Sequence, residues 1–110
     1  MSSSKDYLDF ILEQLEGLDG ITTRAMMGEF IIYLNGKILG GIYDDRLLVK
    51  PVPSARLRMP EALLEAPYEG AKKMLLVDRV DDGAFLRELF CAMESELPAA
   101  KAKKGRITPA

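Results

Sequence analysis

Between Phe30 and Leu39 the chain reads Phe30-Ile31-Ile32-Tyr33-Leu34-Asn35-Gly36-Lys37-Ile38-Leu39. Two runs of β-forming residues flank an Asn-Gly pair. A two-residue hairpin turn needs φ > 0 at both central positions, which asparagine and glycine tolerate. The stretch therefore predicts an antiparallel hairpin. Asp44-Asp45 makes a second turn, and Arg46-Leu47-Leu48-Val49-Lys50 is the next strand, ended by Pro51 and Pro53. Ile21 to Met26 adds a strand ahead of the hairpin, giving an antiparallel meander. Gly40-Gly41 falls inside it. That pair reads first as a bulge or sharp twist, and otherwise as a point where a helix, ligand or second backbone approaches closely.

The flanks supply helices. Leu8, Ile11, Leu12 and Leu15 follow helical spacing behind Ser3 and Ser4, and Gly17 and Gly20 mark a stop, so a helix is predicted from about Lys5 to Glu16. Ser54 to Ala66 reads as one or two short helical pieces, with Ser54 capping the first and Pro60 in the first turn of the second. Pro67-Tyr68-Glu69-Gly70 is turn chemistry, and Lys73 to Val77 is a short strand. Asp81 or Asp82 then caps a last helix whose Phe85, Leu86, Leu89, Phe90, Met93 and Leu97 form one apolar stripe before Pro98. The expected fold is α+β: a two-layer sandwich, with an antiparallel sheet of about five strands and the N- and C-terminal helices packed on it. Residues 1–97 form the domain. Residues 98–110 are expected to be a basic, disordered tail.

Composition narrows the chemistry. A chain of 110 residues, 48% hydrophobic and 29% charged, fits one folded domain. With no histidine, no tryptophan and one cysteine, it has no histidine-based triad, no histidine metal site and no internal disulfide. Cys91 lies beside the last apolar stripe with no base to activate it, and reads as a structural, partly buried thiol. Asp44-Asp45 and Asp81-Asp82 are explained by turns and caps rather than metal binding. Gly70-Ala71-Lys72-Lys73 reads as a solvated turn, and no phosphate-cradling glycine pattern occurs. No catalytic, metal or cofactor-binding residue is assigned, and a non-enzymatic protein is expected. Formal charge is −2; without Lys101, Lys103, Lys104 and Arg106, eleven basic residues face seventeen acidic ones. An acidic body suits phosphate-backbone tracking poorly. No apolar run reaches the ~18 residues of a membrane span, and the N-terminus lacks an apolar signal core, so a cytoplasmic protein is expected.

One segment stands apart: Arg24-Ala25-Met26-Met27-Gly28-Glu29. It sets a cation beside two adaptable apolar side chains and a glycine free to turn. In the simpler reading Met26 and Met27 cover the helix layer while Arg24 pairs with an acid such as Asp44 or Asp45. In the other, the segment is a partner-binding patch.

Arg24-x-Met26-Met27-Gly28, then Tyr33, Gly36-Lys37 and Asp44-Asp45-Arg46-Leu47-x-x-Lys50, resembles the TfoX/Sxy N-terminal domain, named for a bacterial regulator of natural competence. The similarity runs from about Tyr7 to Leu97 and departs from the family pattern at Met27 and Glu29. It implies a two-layer α+β fold in a stand-alone member that lacks the regulators' C-terminal domain. It brings no catalytic residues. Arg24, Met26, Met27, Gly28, Asp45 and Lys50 are the candidate interaction residues. The expected function is a regulatory module acting through a macromolecular partner, a protein first, with nucleic acid as the alternative and a small ligand or enzyme activity as the second. Self-association is left open by the sequence.

Overall fold

The computed structural model describes residues 5–26 and 28–97. Ser3, Ser4, Met27, Pro98 and the basic tail lie outside the described residues. In chain order the elements are α1 (Lys5–Gln14), β1 (Ile21–Met26), β2 (Glu29–Leu34), β3 (Lys37–Ile42), β4 (Leu47–Val49), α2 (Pro53–Arg58), β5 (Leu64–Glu65), β6 (Met74–Leu76) and α3 (Gly83–Glu94). The strands form one sheet in the order β1-β2-β3-β4-β6-β5, and every neighbouring pair is antiparallel.

Local chemistry sets the hairpins. Asn35 and Gly36 take φ of 54° and 80°, the two left-handed positions that the Asn-Gly pair predicts. Asp44 and Asp45 repeat this at φ 56° each, and Tyr43 and Arg46 exchange backbone hydrogen bonds of 2.9 and 3.1 Å across them. Aspartate tolerates this region better than most side chains.

Alternation along the strands then sorts the side chains. Ile32, Leu34, Leu39, Ile42, Leu47 and Val49 are buried on one face against Leu8 and Ile11 of α1, Ala55 of α2, and Leu86, Leu89, Phe90 and Met93 of α3. All three helices thus serve one face. Asp82 caps α3, its carboxylate accepting from the Phe85 N–H at 3.1 Å. That backbone bond, and behind it the Arg79 guanidinium at 3.0 Å, hold the Asp82 carboxyl below its usual range. Polar ties fix the layer. Lys37 Nζ donates to the Glu94 carbonyl at 3.2 Å, and Arg87 donates to the Gln14 carbonyl at 3.0 Å.

The two-glycine segment combines both readings offered for it. Register shifts by one residue between Ile32 and Tyr33, leaving Leu39 unpaired beside Gly40. A Cβ on Gly40 would lie 2.1 Å from the Leu48 carbonyl oxygen, so the backbone that approaches is that of β4. A Cβ on Gly41 would lie 2.8 Å from the Tyr43 ring.

Several expectations are corrected. The second helical piece expected before Ala66 is instead β5: Leu64–Glu65 pairs with Met74 and Leu75 and brings the sheet of about five strands to six. Ser54 does not cap α2. Val52 holds that position, and the Ser54 hydroxyl and N–H donate to the Glu96 carboxylate at 2.9 and 2.8 Å. The helix expected at about Lys5 to Glu16 runs Lys5–Gln14, with the Leu15 N–H still donating to the Ile11 carbonyl at 3.2 Å. Cys91 is exposed, because one residue past Phe90 turns it about 100° off the buried stripe.

Two glycine substitutions separate conformational strain from steric overlap. Gly36 has open space around its Cβ position, so Gly36→Val suffers only from φ and should cost about 1–3 kcal/mol, whereas Gly36→Asn should cost less. Gly40→Ala suffers only from overlap with β4 and should cost about 1–3 kcal/mol. Here Gly40→Asn should be worse still, the reverse ranking. Urea midpoints of the four variants check this.

Candidate interaction surface on the open sheet face

The register carries one row of side chains across the helix-free face: Arg24, Ile31, Gly41, Leu48 and Leu76. A second row follows at the sheet end, with Met26 opposite Glu29 and Tyr43 closing the β3–β4 turn. Tyr43 folds its ring back over Gly41, into space that any larger residue would fill. The chain after β5 returns over this face and sets Tyr68 against Tyr43, with ring centroids 6.5 Å apart and an edge-on angle of 61°. Leu48 is fully buried here although no helix covers it.

Between these groups lies a groove of 590 Å³, lined by Met26, Glu29, Ile31, Tyr43 and Tyr68. Met26 is 46% exposed and Tyr68 65% exposed, unusual values for such large apolar side chains. The Glu29 carboxylate accepts from the Asp44 N–H at 3.1 Å, tying the β1–β2 and β3–β4 turns together. Burial first, and then the neighbouring Tyr68, Glu29 and Tyr33, raise the Tyr43 phenol above its usual range.

The candidate residues divide. Arg24 and Met26 lie on the open face, and Gly28, at φ 86°, turns the chain beside them. Asp45 is at the same sheet end but serves the opposite face, where its charge, after burial, raises the Tyr7 phenol of α1. Lys50 follows β4 at the other end of the sheet, its N–H donating to the Leu39 carbonyl at 2.9 Å. Met27 lies outside the described residues.

Two expectations fail here. Arg24 forms no ion pair or hydrogen bond with Asp44 or Asp45, and none with any other group among the described residues. It sits on the open face while Asp45 turns toward α1. Nor does Met26 cover the helix layer, since strand alternation points it the other way. The arginine of the Asp44-Asp45 turn, Arg46, is paired: its guanidinium meets the Glu65 carboxylate and donates through Nε to the Tyr43 carbonyl at 3.1 Å.

Sequence reasoning missed Ile31, Tyr43 and Tyr68. Alternation from the Asn35-Gly36 turn could have placed Ile31 and Tyr33 together on one face. Tyr68 gave no signal, because only the tertiary path of its loop brings it to Tyr43.

A second concavity of 350 Å³ lies between α2, β6 and the start of α3. Its arginines are engaged: Arg79 with Asp82 at 3.0 Å and over the Phe85 ring at 4.3 Å, and Arg58 with Glu88 at 3.6 Å. Among the described residues no group of three or more acids and cysteines is placed to hold a metal ion, and no helix is long and apolar enough to cross a membrane.

The geometry defines a small α+β domain with a one-sided core and an open sheet face carrying a methionine–tyrosine groove. The family model of the TfoX N-terminal domain matches residues 13–87, and the chain belongs to that family. It is also similar to an "Uncharacterized 12.7 kDa protein in trpE 5'region" of Spirochaeta aurantia, 27% identical over 107 residues that cover 96% of this chain and 93% of that one. No solved structure matches the chain.

The phenols make stability pH-dependent at the alkaline end. Tyr43 and Tyr7 have raised folded values, so the unfolded chain releases these protons first as pH climbs. Their contribution is present below about pH 10, the unfolded value, and is lost as pH rises through the folded values. The urea midpoint should therefore fall above pH 10, and Tyr43→Phe should fall less steeply than the parent.

Proposed function

We propose that this TfoX N-terminal-type domain is a non-enzymatic regulatory module that binds a protein partner through the open end of its sheet. The groove of Met26, Ile31, Tyr43 and Tyr68 supports this reading. It is an apolar concavity with a charged rim, on a face against which no helix packs among the described residues. Methionine and tyrosine are enriched at protein interfaces because they supply large adaptable area and a polar tip. Arg24, exposed and without an ion-pair or hydrogen-bond partner among the described residues, stands beside them as a group available for a carboxylate.

The reading separates binding from folding. Arg24→Ala removes an exposed side chain and should change stability by no more than about 0.5 kcal/mol. Met26→Asp and Tyr68→Asp place charge in the groove and should each cost no more than about 1.5 kcal/mol, Tyr68 losing its edge-on contact with Tyr43 and Met26 its strand preference. Each should reduce recovery of the native partner from the source cytoplasm, while Lys5→Ala on α1 should not. A partner recovered equally by all variants would contradict the proposal. Duplex DNA captured at low salt by the chain truncated after Pro98, and released by Arg24→Ala, would favour nucleic acid instead.

A further inference from the structure

The two edges of the sheet are unlike. β5 is two residues long, too short to template another strand. β1 has six residues and no proline, and its only charge is Arg24. The shift in register lies between β2 and β3, leaving β1 regular along its length. Among the described residues Arg24 is the one common edge protection on β1, and its side chain leaves the outward backbone groups open.

Parity says which backbone groups this edge offers. The Asn35 N–H donates to the Gly20 carbonyl at 2.8 Å, and the ladder continues with Ile21 opposite Leu34. Antiparallel ladders alternate bonded and non-bonded pairs. Thr22, Arg24 and Met26 therefore turn their N–H and C=O groups toward β2. Ile21, Thr23 and Ala25 turn theirs outward, and no backbone bond from outside the sheet reaches them among the described residues.

We propose that β1 pairs with β1 of a second copy, antiparallel about a two-fold axis at Thr23, joining the two sheets into one. In that register Ile21 faces Ala25 of the other copy and Thr23 faces Thr23, so all three outward residues meet outward residues. Each such pair exchanges two hydrogen bonds. Side chains agree as well. Two symmetry-related Ile21–Ala25 pairs and one threonine pair fall on the helix side, and in each copy Arg24 falls opposite Thr22 of the other on the open side. A slip of one step toward the C-terminus sets Arg24 directly against Arg24. A slip the other way leaves Ala25 without a strand partner. The sequence thus favours one self-pairing over its neighbours. The axis is perpendicular to the sheet, so both helix layers lie on one side and both grooves on the other, and the groove reading does not depend on this association.

Strand pairing alone buries little area, so the association is weak and concentration-dependent. Sedimentation of the full chain, in reducing buffer and up to about 1 mM, should show the average mass climb from one chain toward two. Thr23→Pro removes an N–H that its own sheet does not use, and edge strands tolerate proline at such positions. It should keep the parent's circular dichroism and stay monomeric throughout. Register is read by cysteines in a Cys91→Ser background. Paired residues at bonded positions have Cα atoms about 5.5 Å apart, within disulfide reach. Thr23→Cys should therefore cross-link the dimer on oxidation. Thr22→Cys, offset from its own copy by two residues, should not. A parent that remains monomeric at every concentration overturns the proposal. So does a dimer that survives Thr23→Pro, or cross-linking at Thr22 equal to that at Thr23. Should Thr23→Pro fail to fold, the cysteine pair alone decides.

Discussion

The packing of α3 on the β2–β3–β4 face is the contact on which the rest of the molecule depends. Leu86, Leu89, Phe90 and Met93 are fully buried there, and no other element contributes as many fully buried side chains to the core. α1 reaches this layer partly through α3, to which it is also joined by the Arg87–Gln14 bond. α2 is joined to the end of α3 through Ser54 and Glu96. Because this one interface takes the three described helices, the sheet's second face carries no helix among the described residues and is crossed only by the chain after β5. A small domain that concentrates its core on one side can carry adaptable and charged residues on the other without loss of packing.

The double glycine in β3 links the two faces. Gly40 lets β4 approach closely enough to keep Leu47 and Val49 on the helix side. Gly41, one residue on, leaves the opposite side bare, and Tyr43 occupies that space. One pair of residues thus serves the core register and the shape of the groove. The Glu29–Asp44 hydrogen bond holds the two turns that frame the same end of the sheet.

Much of this was legible in the sequence, for physical reasons that can be named. Asn35-Gly36 and the Leu86 to Met93 stripe are strong local signals, and both elements form where expected. β5 was hidden because Ala62-Leu63-Leu64-Glu65-Ala66 is built of good helix formers, and pairing with β6 overrides that preference. Arg24 was readable as a candidate, but not as one without an ion-pair partner among the described residues. The pairing with Asp45 failed on a parity argument, since the side chain two strands away belongs to the other face. Tyr68 was not readable at all, since a loop's path over a sheet leaves no periodicity. The resemblance to the TfoX N-terminal domain indicated the fold correctly and left the open face undescribed.

The one-sided core can be tested with methyl-labelled methionine and a soluble paramagnetic relaxation agent. Met93 is fully buried under α3, and Met26 is 46% exposed on the open face. Strong relaxation of the Met26 methyl and almost none of the Met93 methyl is expected in the full 110-residue chain. Equal protection of both methyls would show that the open face is covered, and would contradict a one-sided core.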